Sequence, residues 1–212
     1  MSKYFGLVAS VAGTFQFGMA LVVCGALRSE YSHITKAISE LGVIGAPYAT
    51  AFNIIGFFVP GCLIALSGAH LARSIDNQKG LIWWLLVISG IGFALTAIPA
   101  EMKDGAFLLD SSLTQAHFVM TLVSALPWLI GMFAVNRALK KSDKMSSIHP
   151  RAQAISWLCF LLAFANPASE LLPITAAIGQ RIAFVAYFGW FITMSILITS
   201  RGWNSQRRSE VS

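Results

Sequence analysis

The chain alternates long apolar stretches with short polar segments. Each stretch runs for about 20 predominantly apolar residues, which is the length a helix needs to cross the hydrocarbon core of a bilayer. The stretches are too long and too continuously apolar for barrel strands. Six stretches meet this description, at residues 5–27, 51–72, 81–100, 116–136, 154–172 and 182–200. The pattern therefore predicts an all-α, polytopic membrane protein with six transmembrane helices in one bundle.

Composition supports the same interpretation. Of the 212 residues, 56% are hydrophobic and 11% are charged, whereas soluble domains carry about 25% charged residues. This excludes a soluble enzyme, a disordered chain and a secreted disulfide scaffold. The three cysteines, Cys24, Cys62 and Cys159, all fall within predicted spans and are expected to act as small core hydrophobes. We expect residues 1–212 to form a single membrane domain.

The basic residues are distributed unequally between the two sides of the predicted bundle. Eleven of the 15 lysines and arginines lie on the side that carries both termini. The positive-inside rule therefore predicts cytoplasmic termini in a prokaryotic inner membrane. The net charge of +6 is explained by this topology and by contact with anionic lipid, so no nucleic-acid partner is predicted.

Polar residues recur along one face of the fourth span. Thr114, His117, Thr121 and Ser124 follow one another at intervals of three, four and three, which places them on a single line of a helix. Such a line must face other helices or a wet cavity, because unpaired polar groups in lipid are costly. The hydroxyls can also serve helix packing, and His117 can be a structural hydrogen-bonding residue. An ionisable residue in a span nevertheless makes His117 a functional candidate.

The first outer loop, residues 28–50, has a helix signal of its own. Ser32 can cap a helix that ends at Gly42, with its apolar side toward the bundle and Glu40 over the mouth. Asn53, near the outer end of the second span, is expected to hydrogen-bond this loop through its amide. Small residues in the second and third spans, including Gly92, are typical of helix contacts.

The loop between the last two spans contains prolines at 167 and 173, which break or kink a helix. It also carries Glu170, and Arg181 opens the final span. These two charges are expected to form a partly buried ion pair at the outer boundary.

Several intramembrane chemistries are disfavoured by the placement of the histidines. A three-histidine zinc site needs ligands that can meet, but His70 and His149 belong to the cytoplasmic side, away from His33 and His117. Paired helical histidines for haem and a Gly-x-Ser-x-Gly motif for proteolysis are also missing from the sequence. No metal and no cofactor are predicted.

A few short motifs resemble a known family. They are Ile-Ser-Glu-Leu-Gly at 38–42, Asn53 and Gly56 in the second span, the histidine at 117, and Gln-Arg at 180–181. Together they resemble the prokaryotic six-helix membrane family called domain of unknown function 998. The resemblance covers nearly the whole chain and implies that Ser39, Glu40, His117 and Arg181 are the polar signature positions. It implies no reaction.

Three functions follow from these features. In the first, a membrane enzyme acts on a lipid or isoprenoid headgroup, with His117 as acid or base, Glu40 or Glu170 assisting, and Ser39 as nucleophile or donor. Arg181 would then hold an anionic group such as phosphate. In this pocket Asn53, Thr114, Thr121 and Ser124 would contact the ligand.

The second possible function is that of a non-catalytic module that binds a membrane lipid or a hydrophobic small molecule. In another form of this hypothesis, the chain is a small subunit of a larger membrane assembly and has protein partners. Transport, the third, has weaker support because inverted repeats are not evident.

Overall fold

The computed structural model describes residues 2–75, 80–165, 167–170 and 174–209, with the side chains of 169–170 and 202–209 left undescribed. Within these ranges the fold is all-α, and the predicted fold class is confirmed. Six helices run in chain order: Phe5–Ala26, Ala49–Ser74, Leu81–Leu95, Ser112–Lys141, His149–Ala163 and Ala176–Ser209. We call them the first to the sixth helix. The first, second, fourth and sixth are long and apolar enough to cross a membrane.

Two helices are shorter than the apolar pattern suggests. The third ends at Leu95 and the fifth at Ala163, each after 15 residues, whereas the apolar stretches continue to 100 and 172. In the fifth helix the cause is Pro167, which lacks an amide hydrogen and disfavours helical geometry in the residue before it. The chain turns instead, with Ala168 N donating to Phe164 O at 2.9 Å.

The second helix contains a wide turn. Its regular α-helical parts, Ala49–Phe52 and Val59–Ser74, are joined by a π-helical segment over Asn53–Phe58. Pro60 lies two residues beyond this segment, and its missing amide hydrogen favours a local change in the hydrogen-bond ladder. Widened turns of this kind are frequent at functional sites.

The helices form a ring in which sequence neighbours pack together and the sixth returns to the first and second. The second and third helices approach most closely, since a Cβ placed on Gly61 would lie 2.2 Å from Ala94 N. Gly92 allows a similar approach between the third and fourth helices, because its Cβ would lie 2.5 Å from Ser124 N. The predicted packing role of Gly92 is confirmed.

The outer face of the ring is apolar. Large side chains such as Phe15, Leu122, Leu161 and Val185 are exposed along the first, fourth, fifth and sixth helices. A soluble protein would not leave so much apolar helix surface in water, whereas lipid solvates it. The chain is therefore an integral membrane protein.

One end of the ring carries the loops that follow the first and third helices, and we call it the Ser39 end. The first loop forms a short 3-10 helix over Ile38–Gly42. A two-residue strand pair follows the third helix, Met102–Lys103 with Ala106–Phe107. Its turn has positive φ at both central residues, Asp104 and Gly105, as a tight hairpin requires.

The short helix in the first loop is confirmed, but it begins at Ile38 and not after Ser32. Ile38 and Leu41 are fully buried in the core, so the loop is inserted into the end of the bundle. The Ser32 hydroxyl accepts from Ile34 N at 3.3 Å in a local turn.

Candidate functional site

A cavity of about 390 Å³ lies within the ring, between the Ser39 end and the middle of the fourth helix. We call it the central cavity. Its polar lining comes from the first loop and from the third, fourth and sixth helices: Ser39, Thr96, His117, Thr121, Ser124 and Gln180. Aromatic side chains form much of the remaining wall, namely Phe57, Phe93, Phe164, Phe184, Trp128 and Tyr187. From His117 to Trp128 the fourth helix rises about 16 Å along this wall.

The cavity opens sideways between the fourth and fifth helices. Leu122 and Leu126 line it from the fourth helix while remaining 55% and 54% exposed on the outer face of the ring. Phe164, just beyond the fifth helix, also lines the cavity and is exposed. This side of the cavity is therefore formed by side chains that also belong to the apolar outer surface.

His117 is the main polar group of the wall. It is only 5% exposed, and its Nδ1 lies 2.9 Å from the Ile98 carbonyl beyond the end of the third helix. A carbonyl only accepts, so Nδ1 carries the proton and, in the neutral ring, Nε2 keeps a lone pair. The imidazole thus donates a hydrogen bond to the Ile98 carbonyl through Nδ1. Its Nε2 can accept a hydrogen bond from a ligand. The expected shielding of His117 from lipid is confirmed.

Ser39 reaches the cavity because the first loop is held over it. Ile38 N donates to Gln180 Oε1 at 2.8 Å, and Ile38 and Leu41 on either side of Ser39 are buried. The serine itself is 5% exposed and lines the cavity. The structure therefore brings Ser39 and His117 to one cavity, from parts of the chain far apart in sequence.

The polar stripe of the fourth helix divides into two parts. Thr121 and Ser124 line the cavity with His117. Thr121 donates to the His117 carbonyl at 3.0 Å within its own helix. Thr114 lies elsewhere, since its hydroxyl accepts from Glu101 N at 2.9 Å and contacts Glu101 O at 3.3 Å. Its contacts fasten the loop after the third helix.

Glu40 is used within the first loop. One carboxylate oxygen accepts from Ala37 N at 2.8 Å, and the other lies 3.3 Å from Lys36 Nζ. The first contact caps the 3-10 helix and the second neutralises the charge. Glu40 is not among the residues that line the central cavity.

Arg181 also holds the first loop. Its guanidinium donates to Lys36 O at 3.0 Å, to Ala177 O at 2.8 Å and to the Tyr31 hydroxyl at 2.7 Å. Burial raises the pKa of Tyr31 above its ordinary value, so the phenol stays neutral and donates to Ala37 O at 3.2 Å. Arg181 does not line the central cavity either.

Asn53 and Glu170 complete the predicted set. Asn53 donates to Gly42 O at 2.8 Å, so the expected bond between its amide and the first loop is confirmed. Asn53 lines a separate depression of about 570 Å³ beside Ile44 and Tyr48. The side chain of Glu170, and with it the expected pair with Arg181, lies outside the described residues.

Sequence reasoning missed several residues of the cavity. Gln180 stands beside Arg181 in the pair that carried the family resemblance, and this was the available signal. Trp128 and Tyr187 sit in long apolar stretches that give no hint of a cavity, with ring centroids 5.2 Å apart. The Tyr187 hydroxyl lies 3.0 Å from Ser89 Oγ, so it is satisfied inside the protein.

Comparison with known proteins gives one match. No curated protein and no solved structure matches the chain significantly. The family model described as "Protein of unknown function (DUF998)" matches residues 11–197, which includes the first loop, the polar stripe of the fourth helix and Arg181. The resemblance drawn from the short motifs is confirmed, and the chain belongs to the DUF998 family of proteins of unknown function.

Proposed function

We propose that this protein binds a membrane lipid or a similar hydrophobic small molecule in the central cavity. The observation that carries the proposal is the side opening, where Leu122 and Leu126 face both the cavity and the surrounding membrane. A ligand dissolved in the bilayer would enter between the fourth and fifth helices with its apolar part toward these leucines.

The size and lining of the cavity support a ligand. Small-molecule sites usually span about 300–1,000 Å³ and combine an apolar wall with a few polar groups, and the cavity has about 390 Å³. Each methylene moved from water into an apolar site contributes about 0.8 kcal/mol. A membrane-dissolved ligand gains less, so selectivity would depend on the polar groups near Ser39 and His117.

Binding is better supported than acid–base catalysis. Catalysis at a headgroup needs a second titratable group beside His117. No Asp, Glu, Lys or Arg is found among the described residues that line the cavity, and Glu40 and Arg181 make their contacts within and around the first loop. Among the residues that the structure describes, the cavity therefore has a base and hydroxyls, whereas Glu40 and Arg181 lie outside its lining.

The orientation in the membrane belongs to the same proposal. Both termini would face the cytosol of a prokaryotic cell, because most basic residues lie on their side. The Ser39 end would then face outward from the inner membrane, and the ligand would enter from the outer half of the bilayer.

Filling the cavity tests the proposal. Ala163 lines it at the end of the fifth helix, and Ala163→Phe would occupy its space at the side opening. Ala154 lies on the same helix and is exposed on the outer surface, so Ala154→Phe is the matched control. Purified proteins would be compared by native mass spectrometry and by extraction of the lipids that remain bound.

We expect a bound hydrophobic species in the parent and in Ala154→Phe, and its loss in Ala163→Phe. Equal occupancy in both variants, with both folded by thermal unfolding, would show that the bound species sits on the outer surface. A folded parent protein without any bound or titratable lipid would also overturn the proposal.

A further inference from the structure

We infer that the ligand of the central cavity is an uncharged lipid with a hydroxyl-bearing head, such as a monoacylglycerol, and not a phospholipid or other ionised amphiphile. This inference rests on the proposed binding function and specifies the chemistry of the head. It replaces the sequence-based idea that Arg181 would hold a phosphate.

The first argument is the charge of the wall. The described lining residues include no arginine, lysine, aspartate or glutamate. The nearest guanidinium on the sixth helix, that of Arg181, donates to Lys36 O, Ala177 O and the Tyr31 hydroxyl instead. An ionised phosphate or carboxylate in this cavity would lose its hydration without gaining a counter-ion, which is strongly unfavourable.

The second argument is the acceptor that the wall offers. His117 Nδ1 is committed to the Ile98 carbonyl at 2.9 Å, so the neutral ring presents Nε2 as a lone pair. A ligand satisfies this atom only by donating a hydrogen. Hydroxyl and amide groups can donate, whereas an ester, an ether or a hydrocarbon cannot.

The third argument is the donors beside it. Gln180 Oε1 accepts from Ile38 N at 2.8 Å, so its NH₂ group remains available to donate, and Gln180 is one of the residues that line the cavity. The Ser39 hydroxyl lines the same end. A head with both a hydroxyl hydrogen and free oxygen lone pairs matches this combination.

Three of the polar groups lie together at one end, and Thr121 and Ser124 follow along the fourth helix. Ser39, His117 and Gln180 surround the part of the cavity near the first loop, while Leu126, Leu129 and Trp128 line the part farther along the fourth helix. An amphiphile would therefore lie with its head at the Ser39 end and its chain along the fourth helix or out through the side opening.

Three lipids with the same oleoyl chain separate the possibilities. Monoolein has an uncharged glycerol head, methyl oleate has no hydrogen to donate, and oleoyl lysophosphatidic acid carries an ionised phosphate. Each would be titrated into delipidated protein in detergent and its Kd measured by native mass spectrometry. We expect monoolein to bind most tightly and the lysophosphatidate more than about tenfold more weakly.

A substitution at His117 identifies the contact. His117→Asn keeps an amide NH near the position of Nδ1 for the Ile98 carbonyl and removes Nε2. We expect monoolein to bind about two- to twelvefold more weakly, as for the loss of one net hydrogen bond, with methyl oleate unchanged. Ser39→Ala removes one hydroxyl at the same end of the cavity. It should also weaken the binding of monoolein more than that of methyl oleate.

The inference is overturned if the lysophosphatidate binds as tightly as monoolein, or if both substitutions weaken monoolein and methyl oleate equally. Its failure is distinguishable from that of the proposed function. If Ala163→Phe abolishes binding of all three lipids but monoolein is not preferred, the cavity binds lipid and only the head assignment is wrong. If Ala163→Phe changes none of the three affinities, the cavity is not the binding site.

Discussion

Replacing Arg181 by methionine is expected to loosen the first loop without unfolding the bundle. Methionine preserves the apolar stem of the side chain, whereas the guanidinium is lost. Two of its hydrogen bonds cross between elements, to Lys36 O at 3.0 Å and to the Tyr31 hydroxyl at 2.7 Å. Hydrogen bonds from a charged group contribute about 1.5–3 kcal/mol each, so the free energy of loop opening should fall by about 3–6 kcal/mol.

Hydrogen exchange measures this opening directly. A decrease of about 3 kcal/mol accelerates exchange through local opening by about 100-fold. The reporters are amides within residues 31–41, including Ile38 N, which donates to Gln180. Arg181→Lys keeps the charge but not the planar fork and should give an intermediate acceleration.

A matched control lies on the same helix. Arg201 Nε donates to Lys144 O at 3.1 Å at the opposite end of the bundle, so Arg201→Met removes a comparable bond far from the first loop. It should leave exchange in residues 31–41 unchanged. If Arg181→Met also leaves these amides within about twofold of the parent, the loop is held by the burial of Ile38 and not by Arg181.

Two further predictions concern packing and topology. Gly61→Ala should destabilise the protein by about 1–3 kcal/mol, because the new Cβ would lie 2.2 Å from Ala94 N. Gly18→Ala, where nothing lies within 4 Å, should be neutral or stabilising by up to about 1 kcal/mol; equal thermal unfolding of the two variants would contradict the close helix contact. For topology, reporter fusions after Lys144 and after Asp104 should report cytoplasm and exterior respectively, and the reverse result would invert the proposed orientation.

The polar stripe could be found from sequence because helix periodicity is local. Intervals of three and four place His117, Thr121 and Ser124 on one side of the fourth helix, and the structure puts all three on the cavity. The number of helices was predictable for the same reason, since the apolar stretches are long and separated by polar segments.

The roles of Glu40 and Arg181 could not be found in the same way. Their main partners are backbone groups, Ala37 N and Lys36 O, and the sequence does not indicate which main-chain group a charge will meet. Arg181 lies 145 residues from Lys36, so the contact depends on how the ring closes. An apolar pattern also cannot show where side chains leave space, so the cavity between Trp128 and Phe164 could not be predicted from the sequence.

The two short helices have a consequence for the surrounding bilayer. At about 1.5 Å per residue, the helices Leu81–Leu95 and His149–Ala163 each rise about 22 Å, against a hydrocarbon thickness of about 30 Å. Both pack against the much longer fourth helix, and each is shorter than the hydrocarbon thickness of an ordinary membrane. A helix of this length is accommodated by local thinning of the bilayer, by flanking side chains that reach the interface or by association with another protein, so these two helices are where the protein would perturb the surrounding bilayer.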